Sequence, residues 1–447
     1  MLDQIHPHAG GIDVGSTKIF VALPGEPSHC FDTFTAGFEA ARDHLLERAV
    51  TTVAMEATGV YWLALYEVLE AAGIEVCVVN GAHARNLPGR KSDVSDSQWL
   101  AELHAHGLLR PSFVAPEEVR RLRSYQRLRD DHIEMASAHV LHMQKAFELL
   151  NIKLHHVISS LTGASGLRIV RAILAGERDA QKLAALCDER ILKTKRERVL
   201  LSLQAVWRWE HLFALRQGLE GWEFYQAQIA ACDGEIDRIL TEMVAARPPL
   251  PVLEKPPKGE SGSRTPKGRS SNAPQIEQLH SKLLALTGGK DLNVLPGLTD
   301  YTLLRLISEV GTDMCRWKSA AHFTSWLCLT PRKAQSGKRA RRLRGRPKTR
   351  AAQILRVAAR AVGNSKYLAL AGFYRRIRGR ASAAVANVAV ARKLGVLFYN
   401  CLRYGLHYVE QGLAQYEEHF KQRTVQRLNH SAKKLGFILT PIQMTAR

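Results

Sequence analysis

The sequence lacks several features that define common protein classes. Its seven cysteines include no Cys-x-x-Cys pair, which argues against a disulfide framework and against a thiolate zinc site. It contains no run of 18 apolar residues, so we expect no membrane span. The opening MLDQIHPHAGGIDVG lacks the charged and then apolar order of a signal peptide. These absences predict a soluble, cytoplasmic protein.

Acidic residues are also scarce relative to basic ones. Lys and Arg number 63 against 42 Asp and Glu, which gives a formal net charge of +21. The hydrophobic content of 46% is typical of a globular chain, and 447 residues suffice for two or three domains. Nucleic acid is the expected partner of such a protein, because basic side chains neutralise phosphates and release their counterions.

Residues 1–112 are predicted to form an α/β domain. The strand-like runs are GIDVGSTKIFVAL (11–23), VTTVAM (50–55) and IEVCVVN (74–80). Helical patterns fill the gaps between these runs, which indicates a largely parallel sheet covered by helices. A further helix is expected to begin near Ser92, which is a suitable N-cap residue.

Residues 113–246 are predicted to be helical, with two long apolar seams. The first seam is Val119, Leu122, Gln126, Arg129, Ile133, Ala136, Val140, Met143, Phe147, Leu150 and Leu154. The second is Leu212, Leu215, Leu219, Trp222, Gln226, Ile229, Asp233, Ile236, Leu240 and Met243. A heptad seam needs a partner helix to bury it, so we predict a coiled-coil hairpin or a dimer stalk. This part either only supports the fold or also serves assembly and nucleic-acid positioning.

The remainder divides into a linker and a basic helical domain. Residues 247–275 are rich in Pro, Gly, Ser and Lys and are predicted to form a flexible linker. Within 276–447, the segment 292–311 resembles a helix-hairpin-helix unit that binds a DNA backbone. Gly297 and the helix starting at Thr299 would then offer N–H groups to a phosphate. An ordinary packing unit is the alternative.

A block of positive charge lies between Arg332 and Arg350, with ten basic residues and no acid. We predict that its loop binds nucleic acid. The candidates are Lys333, Lys338, Arg339, Arg341, Arg342, Arg344 and Arg346. Ser336 lies inside this loop. A serine there is most often only a loop residue, although nearby cations would also suit attack of its hydroxyl on a phosphate.

Four carboxylates form the candidate catalytic group of the first domain. Asp13 lies in the first strand, Glu56 closes the second, and Asp93 and Asp96 are three residues apart near the start of a predicted helix. That spacing places the two aspartates on one helix face. Clustered carboxylates are costly unless a cation neutralises them, and hard oxygen ligands suit Mg²⁺ or Mn²⁺. Each acid taken alone is more simply explained as a turn or capping residue.

The segment GIDVGSTKIFVAL also resembles the first phosphate motif of sugar kinases with an actin-like fold. A kinase would need a second glycine-rich phosphate loop and an adenosine site. The sequence shows neither, and it has no G-x-x-x-x-G-K-[ST] loop. We therefore favour metal-assisted phosphoryl transfer on nucleic acid.

A set of motifs, taken together and in order, is similar to the DEDD-type insertion-sequence transposases of the IS110 family. The motifs are GIDVGSTK, MEATGVYW, RKSDVSDSQWLAEL, LRPSFVAPEEVRRLR, LPGLTDYTLLRLISEVG and FTSWLCLTPRKAQSG. The resemblance spans nearly the whole chain. It implies an RNase H/RuvC-like N-terminal domain, a coiled-coil insertion and a basic helical C-terminal transposase domain. The linker at 247–275 is longer and more polar than this pattern leads us to expect.

The resemblance also implies roles for individual residues. Asp13, Glu56, Asp93 and Asp96 would be the DEDD carboxylates that hold Mg²⁺ or Mn²⁺, and Ser336 would be the serine nucleophile. The implied partners are donor and target DNA, a structured non-coding guide RNA, and further copies of the chain in a dimer or tetramer. No membrane partner is implied, and the protein would act near the nucleoid of a bacterial cytoplasm.

Two other functions remain open at this stage. A RuvC-like nuclease selective for DNA structure would use the metal site and water without the serine. A nucleic-acid-binding scaffold would retain the fold without catalysis. The histidines at 104, 106, 155 and 156 show no ligand spacing with partners, and we expect them on the surface.

Overall fold

A computed structural model describes residues 4–80, 96–248, 272–331, 333–336, 339–342, 349–365 and 369–440. For residues 333–336, 339–342, 369, 408–417 and 420 it describes the backbone only. The chain divides into two compact units, residues 1–114 and residues 115–447. Most of the predicted linker, 249–271, lies outside the described residues, and the predicted domain limits within the second unit stay predictions.

The described residues of the first unit form a five-stranded sheet. Its strands are β1 (Ala9–Val14), β2 (Lys18–Ala22), β3 (His29–Asp32), β4 (Thr52–Glu56) and β5 (Glu75–Val79). Their order across the sheet is β3-β2-β1-β4-β5. Strands β1, β4 and β5 are parallel, while β2 is antiparallel to β1 and to β3. A mixed α/β first region with a mostly helical remainder is thus confirmed.

One predicted strand is in fact a hairpin. The run 11–23 splits into β1 and β2, because the backbone N–H of Gly15 donates to the carbonyl of Lys18 at 3.0 Å and reverses the chain. Val14 then pairs with Ile19 across the turn. The prediction of a largely parallel sheet was therefore wrong for this half, since β2 and the unpredicted β3 add two antiparallel strand pairings.

Helices cover both faces of this sheet. Helices α1 (Thr35–Glu47) and α2 (Trp62–Ala71) cover one face, where Ile12 and Met55 lie in the same buried core as residues of both helices. Helix α3 (Asp96–Ala105) covers the other face, where Ala54 packs with its leucines. Strand side chains alternate between faces, so each strand divides its residues between two cores.

In the residues that the structure describes, the second unit is helical apart from one hairpin. Its helices are α4 (Glu117–Leu149), α5 (Ala164–Leu174), α6 (Ala180–Ala185), α7 (Glu189–Ser202), α8 (Trp209–Ala245), α9 (Leu279–Leu286), α10 (Asp300–Val310), α11 (Ala320–Trp326), α12 (Arg350–Gly363), α13 (Ala369–Arg380), α14 (Ala383–Tyr404) and α15 (Leu406–Lys434). Strands β6 (Lys333–Ser336) and β7 (Arg339–Arg342) pair antiparallel. The basic segment predicted as a loop is therefore a hairpin in part.

The two long helices α4 and α8 pack against each other in opposite directions. Arg121 near the start of α4 reaches Glu242 near the end of α8, and Met143 packs on Gly218 near the start of α8. The predicted first seam runs past the helix, because α4 ends at Leu149 and Asn151 takes a positive φ of 59°. Leu154 is nevertheless buried, in the core formed with the short helices α5, α6 and α7.

The polar interruptions in the seams mark a buried ion pair. The Nε of Arg129 donates to Oδ1 of Asp233 at 2.6 Å, and their side chains are 1% and 5% exposed. Arg129 also donates to the hydroxyl of Tyr301 at 3.2 Å, and the backbone N–H of Gln275 donates to Asp233 at 3.0 Å. These contacts join the helical hairpin to α10 and to the segment before α9.

A second group of contacts joins α4 to α10 at the same junction. Arg127 holds the carboxylate of Glu309 with two hydrogen bonds of 2.9 and 2.8 Å. Arg123 donates to the backbone carbonyls of Ser308 and Glu309 at the end of α10. Bidentate arginine pairs fix orientation as well as distance. Helix α10 is therefore held to α4 by side chains from successive turns.

One helix of the second unit, α14, has the length and mean hydropathy (1.2) of a candidate membrane span. Half of its most apolar window is buried within the protein, and it packs against α11, α12 and α13. Residues such as Phe398 and Tyr399 are fully covered there. Helix α14 thus occupies the position of a core helix.

The buried ion pair generates the first prediction. Arg129→Met leaves the charge of Asp233 buried without its partner, and we expect the free energy of unfolding to fall by about 3–5 kcal/mol. Urea denaturation with hydrogen exchange of peptides from α4 measures this change.

Matched variants test the interpretation. Arg121→Met breaks an exposed pair on the same helix and is expected to cost at most about 1 kcal/mol. Combining Arg129→Met with Asp233→Leu should recover most of the loss, since no unpaired charge remains. Equal costs for Arg129→Met and Arg121→Met would contradict the role of the pair.

Candidate active site

Asp13 and Glu56 lie at the carboxyl ends of two neighbouring parallel strands. The register pairs Gly11 with Ala54 and Ile12 with Met55, so its continuation brings Asp13 level with Glu56. Adjacent strands are about 4.8 Å apart, and both residues are half-buried. The fold thus brings together two acids that are 43 positions apart in the chain.

Both acids are on the face that α3 covers. Ile12 and Met55 belong to the core under α1 and α2, whereas Ala54 packs with residues of α3. Side chains alternate along a strand, so Asp13 and Glu56 share the face of Ala54. This face carries the helix that begins with Asp96.

Helix α3 runs antiparallel to β1 and β4, which brings Asp96 to the same end of the sheet. The Nε2 of His104, near the end of α3, is 2.9 Å from the hydroxyl of Thr52, at the start of β4. From His104 back to Asp96 the helix rises about 12 Å, and from Thr52 to Glu56 the strand rises about 13 Å. Asp96 is therefore level with Glu56, and it is half-buried.

The close approach of α3 depends on Gly11. A Cβ at this position would overlap the backbone oxygen of Ser97 and the backbone nitrogen of Ala101. Ser97 and Ala101 are small residues four positions apart, so they present one narrow face to the strand. None of these residues was among the predicted site residues, although a glycine in a strand and small residues at this spacing are a signal of close packing.

The loop between β2 and β3 fixes the first half of α3. The hydroxyls of Ser28 and Ser97 are 2.7 Å apart, and the amide of Gln98 donates to the carbonyl of Glu26 at 2.9 Å. The backbone N–H of Gly25 donates to Glu102 at 3.0 Å. These contacts restrain the helix next to Asp96.

The fourth predicted carboxylate, Asp93, lies outside the described residues. The structure therefore brings together Asp13, Glu56 and Asp96 at one end of the sheet, and the position of Asp93 stays a prediction. Carboxylate oxygens are the donors that Mg²⁺ and Mn²⁺ prefer, so the three described acids fit the expected cations.

Ser336 is the last residue of β6, where it pairs with Arg339 of β7. The residues between these strands, including Lys338, lie outside the described part of the chain, as do Arg344 and Arg346. The backbone of Lys333, Arg339, Arg341 and Arg342 lies in the two strands. Ser336 thus belongs to the turn end of a basic hairpin.

Gly297 and Thr299 precede α10 as predicted. Thr299 is the N-cap residue, since its hydroxyl accepts a hydrogen bond from the N–H of Thr302. Gly297 has a φ of 78°, and a Cβ there would come within 2.9 Å of the carbonyl oxygen of Ala358 in α12. Both residues therefore have a structural reason for their identity, and their contact with phosphate stays a prediction.

Histidine 104 corrects one expectation. The sequence predicts a surface position, but His104 is 5% exposed, because α3 packs it against the sheet and Thr52. His6 stacks on its ring with centroids 4.9 Å apart. Burial lowers the pKa of His104 to about 4, with a smaller contribution from His6.

Comparisons with known proteins agree with the motifs. The family model DEDD_Tnp_IS110, described as a transposase, matches residues 11–152. A second model, described as a transposase of the IS116/IS110/IS902 family, matches residues 290–371. Together they cover half of the chain, and the first includes the three described acids. No curated protein matches the chain.

The packing of α3 on β1 generates the second prediction. Gly11→Ala forces the backbone of α3 away from the strand, and we expect a loss of about 1–3 kcal/mol in stability. Hydrogen exchange of the peptide 96–105 should become faster. Gly10→Ala is the matched control, because its Cβ meets side chains of Val53 and Leu45 at 3.2 and 3.4 Å rather than the α3 backbone. Unchanged exchange in Gly11→Ala would contradict this packing.

Burial of His104 generates the third prediction. The unfolded chain takes up a proton near pH 6.5, whereas the folded chain resists it until about pH 4. The contribution of His104 to the stability of the first unit is therefore constant above about pH 6.5, and it falls by about 3 kcal/mol between pH 6.5 and pH 4. Hydrogen exchange of strand β4, corrected for intrinsic rates, measures this fall. His104→Gln does not titrate and should remove it, and an unaltered pH dependence in this variant would disprove the assignment.

Proposed function

This chain belongs to the IS110 family of transposases, and we propose that it recombines DNA by metal-assisted attack of a serine on a phosphate. The family establishes an enzyme that acts on the DNA of an insertion sequence. The observation that carries the proposed mechanism is the placement of Asp13, Glu56 and Asp96 at one end of the sheet.

We assign the first unit to the RNase H/RuvC-like fold. Support comes from the strand order β3-β2-β1-β4-β5, in which the first three strands form an antiparallel meander and β4 and β5 run parallel to β1. The central strand carries Asp13 and its parallel neighbour carries Glu56. Ligands of such sheets bind at the carboxyl ends of the parallel strands, where these acids lie.

The carboxylates would hold Mg²⁺ or Mn²⁺, with Asp93 as the fourth member of the set. Bound divalent ions would neutralise phosphate charge and stabilise the attacking and leaving oxygens. Asp13 and Glu56 are fixed by the sheet, and Asp96 is fixed by the packing of α3. The sheet and α3 thus hold the three acids at one end of the sheet, and their side chains would turn toward an ion when it binds.

Ser336 would supply the nucleophile. Its hydroxyl loses a proton and its oxygen bonds to phosphorus, while the bond from phosphorus to a deoxyribose oxygen breaks and that oxygen takes up a proton. Attack by the hydroxyl of another DNA end reverses these steps, restores a phosphodiester and frees the serine. The basic residues of the hairpin and its flanks would hold the phosphate oxygens.

Nucleic-acid binding would extend beyond the cut site. The net charge of +21 and the basic block at 332–350 support contacts with the backbones of donor and target DNA and of a structured guide RNA. Gly297 and Thr299 would add backbone contacts. We further propose a homo-oligomer, either a dimer or a tetramer that joins two DNA partners, acting in the bacterial cytoplasm where the chromosome lies.

Two substitutions separate this proposal from its alternatives. Asp13→Asn should lower the rate of cleavage and exchange by about 10²–10³-fold or more, since a charge-stabilising group is lost. Ser336→Ala should abolish strand exchange and the covalent protein–DNA species. The assay uses the full chain with its co-purified nucleic acid and a plasmid that carries the ends of its element.

The controls decide among the three functions. Asp32→Asn removes an exposed carboxylate of the same sheet and should leave the rates unchanged. Cleavage that persists in Ser336→Ala would favour a nuclease that uses the metal site and water. Exchange within tenfold of the parent in Asp13→Asn would contradict the metal site altogether, and DNA binding without any cleavage by the parent would favour a scaffold.

A further inference from the structure

A cluster of two histidines and a glutamate lies in the second unit, outside the proposed catalytic residues. Nε2 of His155 and Nε2 of His156 are each 2.9 Å from Oε1 of Glu148. Within the described residues, this is the group in which three metal-binding side chains place one ligand atom each within 4.8 Å of one another. Two imidazoles and a carboxylate thus converge on one point.

The fold, rather than the sequence spacing, creates this convergence. Helix α4 ends at Leu149, and Asn151 with its φ of 59° turns the chain back toward the helix. Ile152 and Leu154 are fully buried and anchor the return segment. The short 3₁₀ turn Leu154–His156 then presents both histidines to the last turn of α4.

The three ligands differ in how firmly the protein holds them. The side chain of His155 is 10% exposed, and its ring centroid is 6.4 Å from that of Phe147. His156 is 64% exposed, and Glu148 is also solvent-accessible. His155 is therefore a fixed ligand, while His156 and Glu148 can adjust to an incoming ion and leave a coordination position open to solvent.

We propose that Glu148, His155 and His156 bind a divalent transition-metal ion of the Zn²⁺ class. Imidazole nitrogen and carboxylate oxygen are ordinary ligands of Zn²⁺, and three protein ligands leave the fourth tetrahedral position for water. Mg²⁺ prefers an all-oxygen set, so this site would not compete for the ion expected at Asp13 and Glu56.

Metal binding would lengthen both contacts with Glu148 slightly. Ligand atoms about 2.0–2.1 Å from a tetrahedral ion are about 3.3–3.4 Å apart, so each nitrogen must move a few tenths of an ångström from its 2.9 Å contact with Glu148.

Lys153 lowers the affinity of this cluster for a metal ion. Its ammonium group contacts Oε2 of Glu148, whereas both histidines contact Oε1. Oε1 therefore remains the oxygen available to a metal ion, but the positive charge nearby weakens the attraction for a second cation. Removing this charge should strengthen binding of the metal ion, so a variant of Lys153 gives a test in which the affinity is expected to rise.

The experiment measures Zn²⁺ binding to the full chain after nuclease treatment and a high-salt wash. Isothermal titration calorimetry should show that the chain binds one equivalent of Zn²⁺. His156→Gln should weaken this binding at least about tenfold, because loss of a direct ligand costs no less than loss of a supporting residue. Lys153→Met should tighten the same equivalent. Mg²⁺ in excess should leave it in place.

Two controls test whether the bound Zn²⁺ is at this cluster. His430→Gln removes another exposed histidine and should bind Zn²⁺ as the parent does. Zn²⁺ should slow hydrogen exchange of the peptide 146–158 in the parent and not in His156→Gln. Identical titrations and identical exchange in the parent and His156→Gln would overturn the proposal, whatever the outcome of the DNA assays.

Discussion

The candidate active site depends on the direct packing of a helix backbone on a strand backbone. Gly11 in β1 has no side chain, so the backbone of α3 rests on the sheet at Ser97 and Ala101. The strand direction and the antiparallel path of α3 then place the first residue of this helix beside the ends of β1 and β4. Asp13, Glu56 and Asp96 owe their common position to this contact, which accounts for a glycine in the middle of a buried strand.

A buried ion pair holds the helix junction of the second unit, whereas the packing of α3 in the first unit depends on a position without a side chain. Arg129 and Asp233 are buried in the middle of an otherwise apolar helix pair. Apolar residues at both positions would pack at a lower desolvation cost, yet they would give Tyr301 and the backbone of Gln275 no partner. The ion pair thus gives the hydroxyl of Tyr301 and the backbone N–H of Gln275 a partner where the hairpin meets α10.

Several elements were predictable because their signals are local. The heptad seams predicted the two long helices, whereas the part that Arg129 and Asp233 play in the junction with α10 became evident only from the structure. The hairpin of β1 and β2 was missed because its turn at Gly15 interrupts a continuous apolar run without an Asn-Gly or Asp-Gly signal. His104 was misplaced because its burial depends on a strand 52 positions earlier in the chain.

The sequence by itself determined the charge, the helical and strand periods, the acidic and serine motifs and the resemblance to a transposase family, because these follow from residue type and spacing. Only the tertiary structure decided which acids share a face and an end of the sheet, since this depends on strand register and on the direction of α3. The tertiary structure likewise brings Glu148 together with His155 and His156, because Asn151 has a left-handed backbone conformation and turns the chain back toward α4. Which distant residues lie close together depends on tertiary packing. The spacing of residues along the sequence does not specify it.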